Sequence, residues 1–173
     1  MDQSRTTRLR PSRAEDVPLL DAWRHQPASP FDDWTPQGTD DPRDERLPRP
    51  DGVGQLIVAD AGDQPIGAVQ WHTVRYGPTA GSLAANIGIS LRPESRGQGH
   101  GRRAQRQLAE YLLRQLGVHR VEAGTDVENV AEQRALEAAG FTREGVVRGA
   151  QWRKGQWHDL VLYSRLHTDV VDV

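Results

Sequence analysis

Residues 96–101 read Arg-Gly-Gln-Gly-His-Gly, three alternating glycines between the extended-looking NIGISLRPES and the helical-looking RRAQRQLAEYLLRQL. Glycines in alternation let the backbone take positive φ and let a ligand come close to its N–H groups. The first N–H groups of the helix that follows have no intrahelical partner and carry roughly half a positive charge. A loop of this kind suits an anion, phosphate or pyrophosphate above all, and Arg96, Arg102 and Arg103 add positive charge around it. The plainer use of the glycines, easing a tight turn, accounts for one of them better than for three. A Walker loop ends in Gly-Lys-Ser/Thr, whereas Gly101 is followed by Arg102-Arg103, so that use is excluded. A dinucleotide fingerprint needs G-x-G-x-x-G near the first strand, and this loop is spaced G-x-G-x-G and lies past mid-chain.

Groups able to move a proton are Glu122 in RVEAGT, His72 in VQWHTV and Asp159 in WHDLVLY. Each has a structural use as well: an arginine-paired strand carboxylate, a satisfied histidine and a framework aspartate. The chain has no cysteine, which removes thiolate nucleophiles, disulfides and Cys-ligated metals together. No metal is expected.

These groups need elements to hold them. TTRLRP reads as a short strand. SRAEDVPLLDAWRH reads as a helix with Ser12 as N-cap, Glu15 three residues on, and Val17, Leu19, Leu20 and Trp23 as its buried stripe. Residues 26–54 carry six prolines between Pro27 and Pro50 and no periodicity, which predicts a long irregular loop or a substrate-facing lid. Phe31 and Trp34 favour the lid, since a solvated loop has little use for two aromatics. QLIVAD and PIGAVQWHTVRY flank the turn AGDQ as an antiparallel hairpin, and SLAANIGISLR is a third strand. GRRAQRQLAEYLLRQL is a helix with Ala104, Leu108, Tyr111, Leu112 and Gln115 on one face. GVHRVEAGT is a strand, and NVAEQRALEAAGF is a helix ended by Gly140. A second hairpin, REGVVRGAQWRKGQWHDLVLYSRL, follows. This order predicts an α/β chain of the α+β kind over residues 1–173 as one domain. Its sheet is mixed and mostly antiparallel, with one β-α-β crossover at the centre.

With 173 residues, a formal charge of -2 and a pI of about 6.3, the chain presents no global field toward nucleic acid or anionic membrane. No apolar run reaches the roughly 18 residues a bilayer span needs, and the opening MDQSRTTRLRP lacks the apolar core of a secretory signal. A soluble cytoplasmic protein is expected, with no nucleic-acid and no membrane partner, as a monomer or a homodimer.

The segment Arg96–Gly101 resembles the R/Q-x-x-G-x-G/A motif of the GNAT superfamily of acyl-CoA-dependent N-acetyltransferases. NIGISLRPESRGQGHG is similar to that superfamily's fourth strand and pyrophosphate loop. VEAGTDVENVAEQRALEAAGFTREGVVRG resembles its later strand-helix segment, with Asn129 ahead of the helix. GQWHDLVLYSRL and LRPSRAEDVPLLDAW resemble the closing and opening segments of the RimJ/RimL-like branch. The resemblance implies a GNAT-like fold with acetyl-CoA, as co-substrate, held where the fourth and fifth strands splay. It implies that backbone N–H groups of Gly97, Gln98, Gly99, His100, Gly101 and Arg102, beside Arg96, hold the pyrophosphate. Ile89 and Leu91 would pair with the pantetheine arm, the Leu91 N–H polarising the thioester oxygen. Asn129 would contact the cofactor, cap its helix, or do both.

Transfer to an amine needs a proton removed, since a lysine-like amine has a pKa near 10.4 and an α-amine near 8. Three positions that relatives use for proton transfer or positioning are changed: Leu136 where many carry a tyrosine, Glu132 where the branch carries a serine, and Asn86 where relatives can carry a glutamate. Glu122 and His72 are the remaining candidates, directly or through a water. Phe31, Trp34, Trp71 and Trp152 are candidates for an aromatic acceptor pocket. The acceptor implied is a primary amine, either a peptide N-terminus or a small molecule. The altered positions also admit a protein of this fold that binds acyl-CoA as a sensor or subunit with little or no catalysis.

Overall fold

The computed structural model describes residues 6–24, 29–31 and 53–169. In chain order the elements are β1 (Arg8–Arg10), α1 (Val17–Arg24), β2 (Gly54–Ala59), β3 (Pro65–Arg75), β4 (Leu83–Leu91), α2 (His100–Arg114), β5 (Arg120–Asp126), α3 (Val130–Ala138), β6 (Thr142–Arg153) and β7 (Gln156–Leu166). The seven strands form one sheet in the order β1-β2-β3-β4-β5-β7-β6. Every neighbouring pair is antiparallel except β4 and β5, which are parallel and joined through α2. This is the mixed, mostly antiparallel sheet with a central β-α-β crossover that the element order predicts.

One face of the sheet carries the core. Val69, Ala85, Ile87, Val121, Ala123, Val161 and Tyr163 meet Leu108, Leu112, Leu113 of α2 and Leu136 of α3. The inward face of α2 runs through Ala104, Gln105, Leu108, Ala109, Leu112 and Leu113. It is turned from the predicted stripe: Tyr111 lies at the surface edge and Gln115 is exposed. Two adjacent columns of α2 are covered because the helix lies across several strands, which the i, i+4 spacing alone does not reveal.

The start of α1 also differs from expectation. A 3₁₀ turn at Ala14–Asp16 precedes it, and the Arg13 N–H donates to Asp16 Oδ2 at 2.7 Å, so Asp16 supplies the carboxylate expected of Glu15. Arg10 donates to both Asp16 oxygens at 2.7 and 2.9 Å, which holds that carboxyl down to about 2. Val17 is exposed, and Trp23 takes the Arg92 guanidinium over its ring at 5.8 Å. Of the segment 26–54, residues 26–28 and 32–52 lie outside the described residues, Trp34 among them.

Leu108 has no exposed surface while Leu116, two residues past the helix end, is 52% exposed. Leu108→Ala is therefore expected to lower the unfolding free energy by about 2–5 kcal/mol, against about 0.5 or less for Leu116→Ala. Urea titration of both variants checks this, and equal effects would contradict the placement of the core.

Candidate active site

Strands β4 and β5 pair over only four residues, from Ala84↔Arg120 to Ile87↔Ala123. Beyond that point both continue, β4 to Leu91 and β5 to Asp126, each held on its outer side by β3 and β7. Gly88–Leu91 and Gly124–Asp126 therefore face each other across an opening. The Arg92 N–H donates to Ile66 O on the β3 side, at 2.9 Å. Alternation of backbone groups along a strand then turns the N–H groups of Leu91 and Ile89 into the opening. The Leu91 carbonyl is taken by Arg96, whose Nε and Nη2 donate to it at 3.0 and 2.9 Å. At Gly124 a Cβ would stand 2.8 Å from the Leu160 side chain, so glycine is what lets that leucine lie against the opening.

The glycine loop closes the end of β4. Gly97 and Gly99 have φ of 71° and 76°, and α2 starts from Gly99 with no side-chain cap. The first helical bond in the loop is Arg103 N–H to Gly99 O at 3.3 Å. Among the described residues, none of the N–H groups of residues 97–102 donates to another protein group. A Cβ at Gly97 would meet nothing within 4 Å, so the loop is open at that residue. Such a run of N–H groups at a helix start is a nest for an anion.

The side chains around the loop hold it from behind. His100 is buried with Nδ1 2.8 Å from Thr7 Oγ1, and burial, then Arg103, push its pKa down. Arg103 Nε donates to the same hydroxyl at 2.9 Å and Nη2 to Gln98 O at 3.0 Å. Gln98 turns back to Glu94 O, and Arg102 is exposed. Asn129 caps α3: Oδ1 accepts the Glu132 N–H at 3.3 Å and Nδ2 donates to Thr125 Oγ1 at 3.1 Å.

On the sheet face away from α2, the register lines up His72, Asn86, Glu122 and Ser164. Glu122 is buried and accepts three hydrogen bonds. Its Oε2 accepts from Tyr76 Oη at 2.7 Å and Arg120 Nε at 3.1 Å, and its Oε1 from Asn86 Nδ2 at 3.2 Å. Donating to that carboxylate raises the Tyr76 pKa. Arg120 also grips Glu144 through two 2.6 Å bonds, and Ser164 Oγ donates to Glu144 at 2.7 Å. These contacts, Arg120 first, hold the Glu144 carboxyl down to about 2. A cleft of about 450 Å³ opens beside this network, where β4 and β5 begin, lined by Tyr76, Leu83, Arg120, Glu144 and Leu162 among others.

The predicted aromatic pocket is only partly assembled. Trp71 pairs with Ile87 on the α2 side, and its ring meets Tyr111 edge-on at 6.2 Å. It is thus one residue out of phase with His72 and lies across the sheet from that face. Trp152 packs edge-on to Trp157 at 5.2 Å, next to the β6–β7 turn. Phe31 follows Pro30, whose carbonyl accepts from Arg153 Nη1 at 3.3 Å, so the described part of the 26–54 segment meets the same turn. Leu136, at the tyrosine position of many relatives, is fully buried in the core. Sequence reading missed Tyr76, Asp126, Arg153 and His158. Two of these four are charged strand residues, and nothing in their local spacing sets them apart.

The family model for the acetyltransferase (GNAT) domain matches residues 7–142. The chain is 31% identical over 125 residues to "Probable N-acetyltransferase YjcK" of Bacillus subtilis, covering 72% of this chain and 67% of that one. It is 30% identical over 82 residues to "Uncharacterized N-acetyltransferase p20" of Bacillus licheniformis, covering 47% of this chain and 46% of that protein. Among solved structures, a spermidine N-acetyltransferase SpeG chimera from Vibrio cholerae and hSSAT superposes with a TM-score of 0.72. It has 20% identity, with 94% of this chain and 96% of that one covered. At that identity the likeness concerns the fold.

Glu144 contributes stability while it is ionised beside Arg120. Its ordinary value is 4.5 and its folded value about 2, so that contribution is complete above pH 4.5 and is lost as pH falls toward 2. The gap in urea midpoint between wild type and Glu144→Gln is therefore expected to be widest near neutral pH and to close between those values. A gap that stays constant down to pH 2 would contradict the Arg120–Glu144 pairing.

Proposed function

The chain belongs to the GNAT acetyltransferase family, and on that premise we propose that it moves an acetyl group from acetyl-CoA to a primary amine. The observation that carries this reading is the parted β4–β5 pair ending in six undirected N–H groups at residues 97–102. The pyrophosphate of the co-substrate fits that nest, with Arg96 and Arg102 adding charge. The pantetheine arm, itself an amide chain, fits the strand edge presented by Ile89 and Leu91. The Leu91 N–H is the donor for the thioester oxygen, where negative charge develops. Asn129 stands at the end of β5, on the cofactor's path. Bound there, the thioester supplies an activated acetyl carbonyl. The chain's residues hold it, polarise it and bring an amine against it, so that proximity accounts for much of the rate.

The acceptor enters from the face that carries His72, Asn86 and Glu122. Glu122, its carboxylate fixed by three donors, attracts the ammonium form of the amine. His72 borders it, and Phe31 and Trp152 line the approach, with Trp34 as a further candidate. The resemblance to the RimJ/RimL-like branch supports a peptide or protein α-amine, and a small-molecule amine is the other acceptor class. The reading takes residues 1–173 as one cytoplasmic domain, monomeric or homodimeric, with no metal. A second reading, an acyl-CoA-binding sensor without turnover, rests on Leu136, Glu132 and Asn86 at positions where relatives carry reactive or polar groups.

Calorimetric titration with acetyl-CoA, CoA and ATP tests the first claim. Acetyl-CoA and CoA are expected to bind, and Gly99→Val to weaken both at least about tenfold, or about 1.4 kcal/mol. That substitution forces a branched side chain onto a φ of 76°, with its Cβ 3.0 Å from Arg103. Binding of ATP in place of CoA would overturn the reading. A thiol-release screen over amines and short peptides then separates enzyme from sensor, and acetyl-CoA binding with every amine inert favours the sensor.

A further inference from the structure

This inference rests on the transfer reading above and concerns where the acceptor's proton goes. At the end of β5, Asp126 is buried and pairs with Arg153 Nη2 from β6. His158 of β7 places Nδ1 3.3 Å from the same carboxylate oxygen, Oδ2. The other oxygen accepts the Glu128 N–H at 2.8 Å. Nε2 of His158 is buried and, among the described residues, has no hydrogen-bond partner.

That arrangement fixes the imidazole. A carboxylate oxygen facing Nδ1 favours the proton on that nitrogen, which leaves the lone pair on Nε2. A buried acceptor without a donor is costly, and an N–H brought in by a substrate is a group that would satisfy it. An ammonium is such a group.

The position along the strands agrees. Ile87 and Ala123 are the last pair, so Leu91 of β4 and Asp126 of β5 both lie on the parted stretch beyond it. The Val127 N–H donates to Asp159 O at 3.3 Å, one residue from His158. Glu122 is level with Asn86, five residues short of Leu91, or roughly 16 Å at about 3.3 Å per residue. Three of the roughly four lone-pair sites of its carboxylate are already filled. Of the two, His158 is the one at the end of the sheet where β4 and β5 have parted, and it can take a proton without breaking a network.

We propose that His158 Nε2 is the proton acceptor of the reaction, with Asp126 as its positioning residue. The ammonium gives one proton to Nε2. The neutral nitrogen then forms a C–N bond to the acetyl carbonyl carbon, and the C–S bond breaks. The second proton leaves with the sulfur as free thiol, the third stays on the amide, and the imidazolium returns its proton to solvent. Among the described residues, Arg153 of β6 is the charged side chain in contact with this pair.

Two measurements test it. Imidazole-nitrogen NMR of the wild-type protein is expected to show His158 as the Nδ1–H tautomer, and an Nε2–H tautomer overturns the proposal without reference to activity. In kinetics, His158→Gln is expected to lower kcat by roughly 100-fold or more. Its acetyl-CoA affinity should stay within about threefold and the acidic limb of the kcat–pH profile should be lost. Added imidazole should restore part of the rate to His158→Ala. An active wild type whose His158→Gln variant keeps kcat within about threefold, with the acidic limb intact, overturns the base alone. A wild type inert toward every amine overturns the transfer reading, and with it the base.

Discussion

The organisation of this molecule follows from one interruption: the β4–β5 pairing stops after Ile87 and Ala123 while both strands run on. A strand edge with no partner is normally a liability, since its N–H and C=O groups are left without hydrogen bonds. Here neither strand collapses onto the other, because β3 pins β4 as far as Leu91 and β7 pins β5 as far as Asp126. The opening is thus held apart from outside. Its place in the middle of a sheet gives a polar edge surrounded by a rigid frame, which suits an amide-bearing chain better than a loop would.

Each end of the opening has its own means of support. At the glycine loop, Arg103 and His100 tie the start of α2 to Thr7 and leave the N–H groups facing outward. At the closed end, Glu122, Arg120 and Glu144 join β5 to β6, with Tyr76 and Asn86 attached. At the open end, Asp126 and Arg153 join β5 to β6 again, and Arg153 reaches Pro30. Buried pairs of this type cost desolvation and contribute little net stability. What they fix is geometry, since removing one partner leaves the other charge uncompensated.

Much of this was legible in the sequence. The glycine loop, the strand before it and the helix after it carry local signals, and so do the two hairpins and the Asn129 cap. The chemistry on the far side of the sheet was less legible, for two physical reasons. A strand alternates faces at every residue, so placing Trp71 needed its phase relative to His72, and adjacent aromatic and polar residues on one strand do not reveal it. Asp126, Arg153 and His158 belong to three strands and meet only through the β5-β7-β6 order, to which no spacing along the chain corresponds. Tyr76 lies just past the end of β3 and reaches Glu122 across 46 positions, so its partner too was set by topology.

If the opened strand edge and the glycine loop together form the proposed acetyl-CoA site, backbone amide hydrogen exchange reads this residue by residue. Saturating CoA is expected to slow exchange at Ile89, Leu91 and across Gly97–Arg102, while the amides of β1 and β2 keep their rates. Unchanged exchange at those positions, with protection appearing instead around Tyr76 and Arg120, would contradict it.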